Sequence, residues 1–201
     1  MSDQKKTGGY ITEAWLVILL ALAYGAALAG VQTGLGPIIE ENKKAETFSV
    51  VPQLVPGADG GKTEAVEIEG EDGRVSTAYK AISDSGAQQG WVLPGSGQGF
   101  ADKIDLLIGL TTDASRITGI YILDQKETPG LGNYIVGESF REHFADKSTA
   151  EPLSVVKAEP ARPNEIPAIT GATISSESVT QIVNRTIENF EGALRERTGK
   201  E

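Results

Sequence analysis

Between Ala14 and Ile39 the chain carries no charged residue, and this run limits what it can fold into more than any other feature. The apolar heart, AWLVILLALAYGAALAGV from Ala14 to Val31, makes a helix of roughly 27 Å at the usual rise per residue, close to the hydrocarbon thickness of a bilayer. Trp15 lies near one end, where an aromatic ring favours the membrane interface. Lys5 and Lys6 precede the run and Glu40 and Glu41 follow it. The positive-inside bias then predicts a single-pass anchor in the inner (cytoplasmic) membrane, with a cytoplasmic N-terminus and the rest of the chain on the periplasmic side. A cleaved signal peptide, with Ala27 and Ala29 near the cleavage point, and a buried core helix are the competing readings. Gly25 and Gly30 would suit packing against neighbouring membrane helices.

Beyond the run the pattern changes. GLGPII, Gly34 to Ile39, reads as a helix breaker, followed by a short helix over 38–48 and a Pro- and Gly-rich connection over 52–61. Alternating runs then predict strands at 65–70, 74–82, 90–95, 103–113 and 116–124, the last two joined through DASR (113–116) as a hairpin. ESFREHF (138–144) suggests a short helix and LSVVK (153–157) another strand. Val179, Ile182, Val183, Ile187, Phe190 and Leu194 fall at helical spacing, which predicts a C-terminal amphipathic helix capped by Ser175 or Ser176, with Glu177 in its first turn. Successive strands with few helices between them indicate an α+β domain with a mostly antiparallel sheet. The expected organisation is a cytoplasmic N-terminus (1–12), a transmembrane helix (13–33), a connecting segment (34–62) and one extracytoplasmic domain (63–198).

Composition narrows the chemistry. The formal net charge is −10 with scattered basic residues, whereas nucleic-acid binding needs a clustered positive face. With no cysteine and one histidine, thiolate catalysis, an iron–sulfur cluster bound by this chain alone and a multi-histidine metal site are all excluded. His143 reads as a surface or packing residue, so neither a catalytic residue nor a metal ligand is assigned.

Two stretches carry chemistry. In TGATISS (170–176), Gly171 allows a tight backbone and Thr173 presents a hydroxyl just before a helix, whose unpaired N–H groups and positive partial charge suit a phosphate. A capped turn without ligand explains the same residues. In ETPGLG (127–132), Pro129-Gly130 is type II turn chemistry at a strand end, with Glu127 and Thr128 as polar groups beside it. GSGQGF (95–100) fails the dinucleotide fingerprint because Asp102 stands where the third glycine belongs, and is read as a hairpin or loop.

In this order and spacing, the anchor, the glycine-rich segment, KETPGLG and the [ST]-G-A-T-x-[ST] signature resemble the G subunit of the Rnf-type electron transport complex over nearly the full length. The C subunit of the Na+-translocating NADH:quinone reductase is a related family. The resemblance implies an FMN-binding domain and a phosphodiester between FMN and Thr173. It implies that Glu127, Thr128, Leu131 and Gly132 lie against the flavin, and that Gly171 and Ala172 line its phosphate end. Thr170 and Ser175 are the signature's outer hydroxyls. Thr170 stands where serine is commoner and Gln125 where many members carry histidine. The resemblance further implies an electron-carrying subunit of an ion-translocating ferredoxin:NAD+ oxidoreductase, with membrane and iron–sulfur subunits as partners and a magnesium-dependent flavin transferase for maturation. A membrane-anchored binding or sensor domain without cofactor is the alternative from a different class.

Overall fold

The computed structural model describes residues 14–69 and 75–198. Its first element is one continuous helix, α1, Trp15–Leu54. The breaker expected at GLGPII and the separate helix at 38–48 are therefore not what the chain forms. Pro37 lacks an N–H and removes one backbone hydrogen bond, and Gly34 and Gly36 weaken the helix locally. Neither cost ends a helix that is supported on both sides, and Thr33 adds a bond from its hydroxyl to the carbonyl of Ala29 at 2.7 Å. The stretch of α1 from Trp15 onward is long and apolar enough to cross a membrane, and its large side chains are exposed. Residues 1–12, with Lys5 and Lys6, lie outside the described residues.

The chain divides into two units, residues 1–44 and 45–201. The globular unit thus begins at Ala45, well before the expected boundary at residue 63. The Pro- and Gly-rich connection expected over 52–61 is mostly regular: α1 continues to Leu54 and strand β1 begins at Asp59.

Five strands follow in sequence: β1 (Asp59–Glu69), β2 (Val75–Ile82), β3 (Gln88–Gln98), β4 (Lys103–Thr111) and β5 (Ile117–Asp124). They form one sheet in that spatial order, each strand antiparallel to the next. The predicted strands are all present, but β1 starts earlier and β3 extends at both ends. GSGQ, expected as a hairpin or loop, is the second half of β3, which forms a hairpin with β4, with Pro94 opposite Leu107 and Gly97 opposite Ile104. Pro94 is tolerated because the pairing of β3 with β2 ends at Val92, so no partner there needs its missing N–H.

Period-two alternation sorts the sheet's faces. Ile104, Leu106, Ile108 and Leu110 of β4 point into the main core with Trp91, Leu93, Ile120 and Ile122. Leu107 and Val92 point the other way, into a second core with Val50, Val51 and Leu54 from the end of α1 and with Val55. After β5 come a 3-10 turn (Gly132–Val136), the short helix α2 (Glu138–Arg141) and a second 3-10 turn (Glu142–Phe144). These place Ile135, Phe140 and Phe144 against the main core. His143 is exposed on the second turn. Strands β6 (Ser154–Val156) and β7 (Glu165–Pro167) pair in parallel as a small separate sheet.

The last element, α3, runs Thr173–Thr198. Val179, Ile182, Val183, Ile187 and Phe190 form its buried stripe over the sheet, as their spacing predicts. The side chain of Leu194 lies outside the described residues. The cap assignment needs correction: α3 starts at Thr173, so Ser175 and Ser176 lie within its first turn and Glu177 beyond it. Ser176 turns back to donate to the carbonyl of Ala172 at 3.0 Å and accepts the N–H of Ile169 at 3.1 Å.

Candidate functional site

Two tight turns face each other at one end of the domain. The first follows β5. The N–H of Leu131 donates to the carbonyl of Thr128 at 3.2 Å, and Gly130 sits at φ +77. This is the type II geometry that Pro129-Gly130 predicts. Asn133 pins the turn by accepting the N–H of Gly130 through Oδ1 at 2.8 Å. The second turn precedes α3. The N–H of Ala172 donates to the carbonyl of Ile169 at 2.9 Å, and Gly171 sits at φ +82, a region that L side chains rarely adopt. The two turns touch: a Cβ on Gly171 would lie 3.0 Å from Cδ2 of Leu131.

A cavity of about 350 Å³ opens between the turns, lined by Phe100, Thr128, Leu131, Gly132 and residues 171–175. Its floor is the start of α3. The N–H of Ser176 donates to Ala172 at 3.0 Å, which leaves the N–H groups of Thr173, Ile174 and Ser175 as the helix's free first-turn donors. A side-chain cap would normally satisfy one of them, but Ala172 has none to offer. Phe100 and Ile174 are 60% and 53% exposed, and with Leu131 they form an apolar rim. Free amide donors on one side and an apolar rim on the other suit a ligand that is anionic at one end and flat and apolar at the other.

Size alone does not single out this cavity. Another of about 340 Å³ is lined by Thr149, Leu153, Asn184 and Ile187 among others. Two of its polar side chains are already engaged: Thr149 donates to the carbonyl of Ala114 at 2.9 Å, and Asn184 holds both backbone groups of Leu153.

Seven of the nine sequence-derived site residues line the first cavity: Thr128, Leu131, Gly132, Gly171, Ala172, Thr173 and Ser175. Thr170 is exposed and outside the lining. Glu127 is only 4% exposed and stands behind the wall. Its Oε1 accepts the N–H of Ala101 at 3.0 Å and its Oε2 accepts the hydroxyl of Ser175 at 2.5 Å. Its own N–H donates to Oε1 of Gln125 at 2.6 Å. Phe100 and Ile174 are the lining residues that sequence reasoning missed. Each has a visible signal: an apolar residue directly after the glycine-rich segment, and an apolar residue at the open position of TGATIS.

Comparison with known proteins agrees with this geometry. The FMN-binding domain family matches residues 99–188, a span that holds every lining residue. The chain is 30% identical over 193 residues to the G subunit of the ion-translocating oxidoreductase complex of Methanosarcina acetivorans, covering 94% of this chain and 96% of that one. It is 42% identical over 101 residues to the G subunit of the Na+-translocating ferredoxin:NAD+ oxidoreductase complex of Acetobacterium woodii, covering 50% and 48%. Among solved structures, NqrC of Shewanella oneidensis superposes with a TM-score of 0.55 at 18% identity, covering 72% of this chain and 73% of that one. The C subunit of the Na+-translocating NADH-quinone reductase of Parabacteroides distasonis superposes with a TM-score of 0.58 at 21% identity, covering 75% and 83%. The two solved structures share the fold, and with the near full-length match in sequence the chain belongs to the G-subunit family of ion-translocating oxidoreductase complexes.

Proposed function

We propose that the cavity holds FMN joined by a phosphodiester to Oγ1 of Thr173, and that the chain is an electron-carrying subunit of an ion-translocating ferredoxin:NAD+ oxidoreductase. One observation carries the attachment: the hydroxyls of TGATISS are not equivalent. Ser175 is committed to Glu127 and Ser176 to Ala172, while Thr170 lies outside the lining. Thr173 lines the cavity at the first position of α3, and among the described residues its hydroxyl has no hydrogen-bond partner.

The residues fit the group. The free N–H groups of residues 173–175 would hold the phosphate in the positive field of the helix start, beside Gly171 and Ala172, which line the same cavity. Phe100, Leu131 and Ile174 offer the apolar surface for a flavin ring. Bound FMN supplies the electron-carrying chemistry, and the chain orients the group and shields it from water. The chain has no cysteine, so iron–sulfur steps fall to partner subunits, and a separate flavin transferase makes the bond.

The attachment is tested by denaturing electrophoresis under ultraviolet light after co-expression with the transferase. The wild-type band fluoresces and the Thr173→Ala band is dark. A dark wild-type band, or an equally bright Thr173→Ala band, rejects the assignment.

In the same reading α1 anchors the chain in the inner membrane and the flavin domain lies on the periplasmic side. A single cysteine in place of Ser85, exposed between β2 and β3, reports sidedness cleanly in a chain without cysteine. A membrane-impermeant maleimide labels it in intact spheroplasts. Labelling only after lysis places the domain on the cytoplasmic side instead.

A further inference from the structure

Two glycine-bearing motifs and one serine of the signature meet at a single buried carboxylate. Glu127 accepts from the backbone of Ala101 and from the hydroxyl of Ser175. A Cβ at Gly99 would strike its Oε1 and lie 2.7 Å from the carbonyl of Asp102. A Cβ at Gly132 would lie 2.8 Å from its Oε2 and 2.7 Å from Oγ of Ser175. The last glycine of GSGQG and the last glycine of ETPGLG therefore leave room for the same group. Neither glycine has a positive φ; at Gly99 the carbonyl of Asp102 across the turn also excludes a side chain, whereas at Gly132 the nearest atoms all belong to Glu127 and Ser175.

Both oxygens of Glu127 are engaged, and the residue is absent from the cavity lining. Its contacts join three pieces of wall. One is the segment after β3, where Ala101 follows Phe100. Another is the turn that carries Leu131 and Gly132. The third is the first turn of α3, where Ser175 lies two residues beyond Thr173. A buried carboxylate loses its favourable hydration unless bonds replace the lost water. Losing either bond therefore frees one wall and leaves a costly group behind it.

We propose that Glu127 is a positioning residue: from behind the cavity it fixes Thr173 and the start of α3 relative to Phe100, and it does so without touching the flavin. This inference rests on FMN occupying the cavity through Thr173. The step it serves is transfer from FAD. Oγ1 of Thr173 forms a bond to the FMN-side phosphorus, the pyrophosphate P–O bond breaks, AMP leaves, and the hydroxyl proton passes to solvent. Correct placement of Oγ1 against a diphosphate held by the transferase is where a loosened α3 start acts.

The test uses full-length chains in detergent, made without transferase and then labelled by added transferase and FAD. Glu127→Ala and Ser175→Ala each slow FMN incorporation by about three- to tenfold, as loss of a charge-assisted hydrogen bond implies, and both change the visible circular dichroism of the attached flavin. The double variant is no slower than Glu127→Ala alone, because the two residues act as one unit. Glu127→Gln, which keeps an acceptor for Ala101, recovers part of the rate. Wild-type labelling together with wild-type rates and unchanged flavin dichroism in both single variants overturns the positioning role and leaves the FMN reading intact. An unlabelled wild-type chain overturns both. If Glu127→Ala fails to fold, as far-ultraviolet dichroism would reveal, Ser175→Ala against wild type decides by the same two readouts.

Discussion

Asn184 shows how one side chain can hold a segment that has little regular structure of its own. Its Oδ1 accepts the N–H of Leu153 at 2.9 Å and its Nδ2 donates to the carbonyl of the same residue at 2.8 Å. The amide imitates a neighbouring strand and docks the start of β6 on the middle of α3. Asn184→Ala leaves both backbone groups of Leu153 without their partner, at a cost of about 1–3 kcal/mol. Thermal unfolding should show a lower midpoint, while FMN incorporation at Thr173, on a different part of α3, stays at the wild-type level. An unchanged midpoint would mean that water replaces the amide at no cost. Nothing in the sequence marks Asn184, because its partner is backbone 31 residues away. The motif residues are the opposite case. TGATIS and ETPGLG are visible because turns need glycine at particular backbone angles, and Gly130 and Gly171 both take them. That Glu127 is buried against the lining residues Gly132 and Ser175 was not legible, since a motif places a residue in a segment and says nothing of what its side chain meets.

At the scale of elements, the β4–β5 hairpin was the most legible part of the sheet and carries a pH dependence. Its turn is closed by the N–H of Thr111 donating to the carbonyl of Arg116 at 3.0 Å, and by the N–H of Ala114 donating to Thr111 at 2.9 Å. Asp113 organises it: the hydroxyl of Thr111 donates to Oδ1 at 2.6 Å, and Ser115 donates through its hydroxyl at 2.9 Å and its N–H at 3.2 Å. These donors, Thr111 foremost, hold the Asp113 carboxyl down from its ordinary 3.8 to about 2. A folded-state value below the unfolded one favours the folded chain above the unfolded value, and the advantage disappears as pH falls through the folded value. The contribution of Asp113 is therefore complete above about pH 4 and fades toward pH 2. Asp113→Asn should lower the unfolding midpoint at neutral pH by a modest amount, since the group is exposed and screened. The gap to wild type should close on acidification across that window, and a gap constant from pH 6 to 2 would rule the cause out. Helix α1 was the least legible element. Glycine and proline at 34–37 are good local evidence for a break, but local cost does not decide the outcome when both flanks favour helix.

At the scale of the whole molecule, the domain boundary follows from which face of the sheet needs covering. Alternation along β3 and β4 leaves apolar side chains on both faces, and α3 covers only one. The second face, with Ala81, Val92 and Leu107, is closed by Val50, Val51, Leu54, Val55 and Ala58. Sequence reasoning put the start of the domain at residue 63 because the membrane-like run dominates the early pattern and a Pro- and Gly-rich stretch follows it. It had no way to see that the end of the same helix serves the sheet. Burial of each large aliphatic side chain is worth about 1.5–3 kcal/mol, so the four valines and leucines here contribute on the order of 6–12 kcal/mol. That is comparable to the whole stability of an ordinary domain, about 5–15 kcal/mol. A fragment of residues 45–201 should therefore unfold cooperatively and accept FMN at Thr173. A fragment of residues 63–198 should bind a hydrophobic dye, lack a cooperative transition and label poorly, although it contains every residue of the cavity. Matching unfolding curves for the two fragments would show that the second core is dispensable and that the domain begins where the sequence alone had placed it.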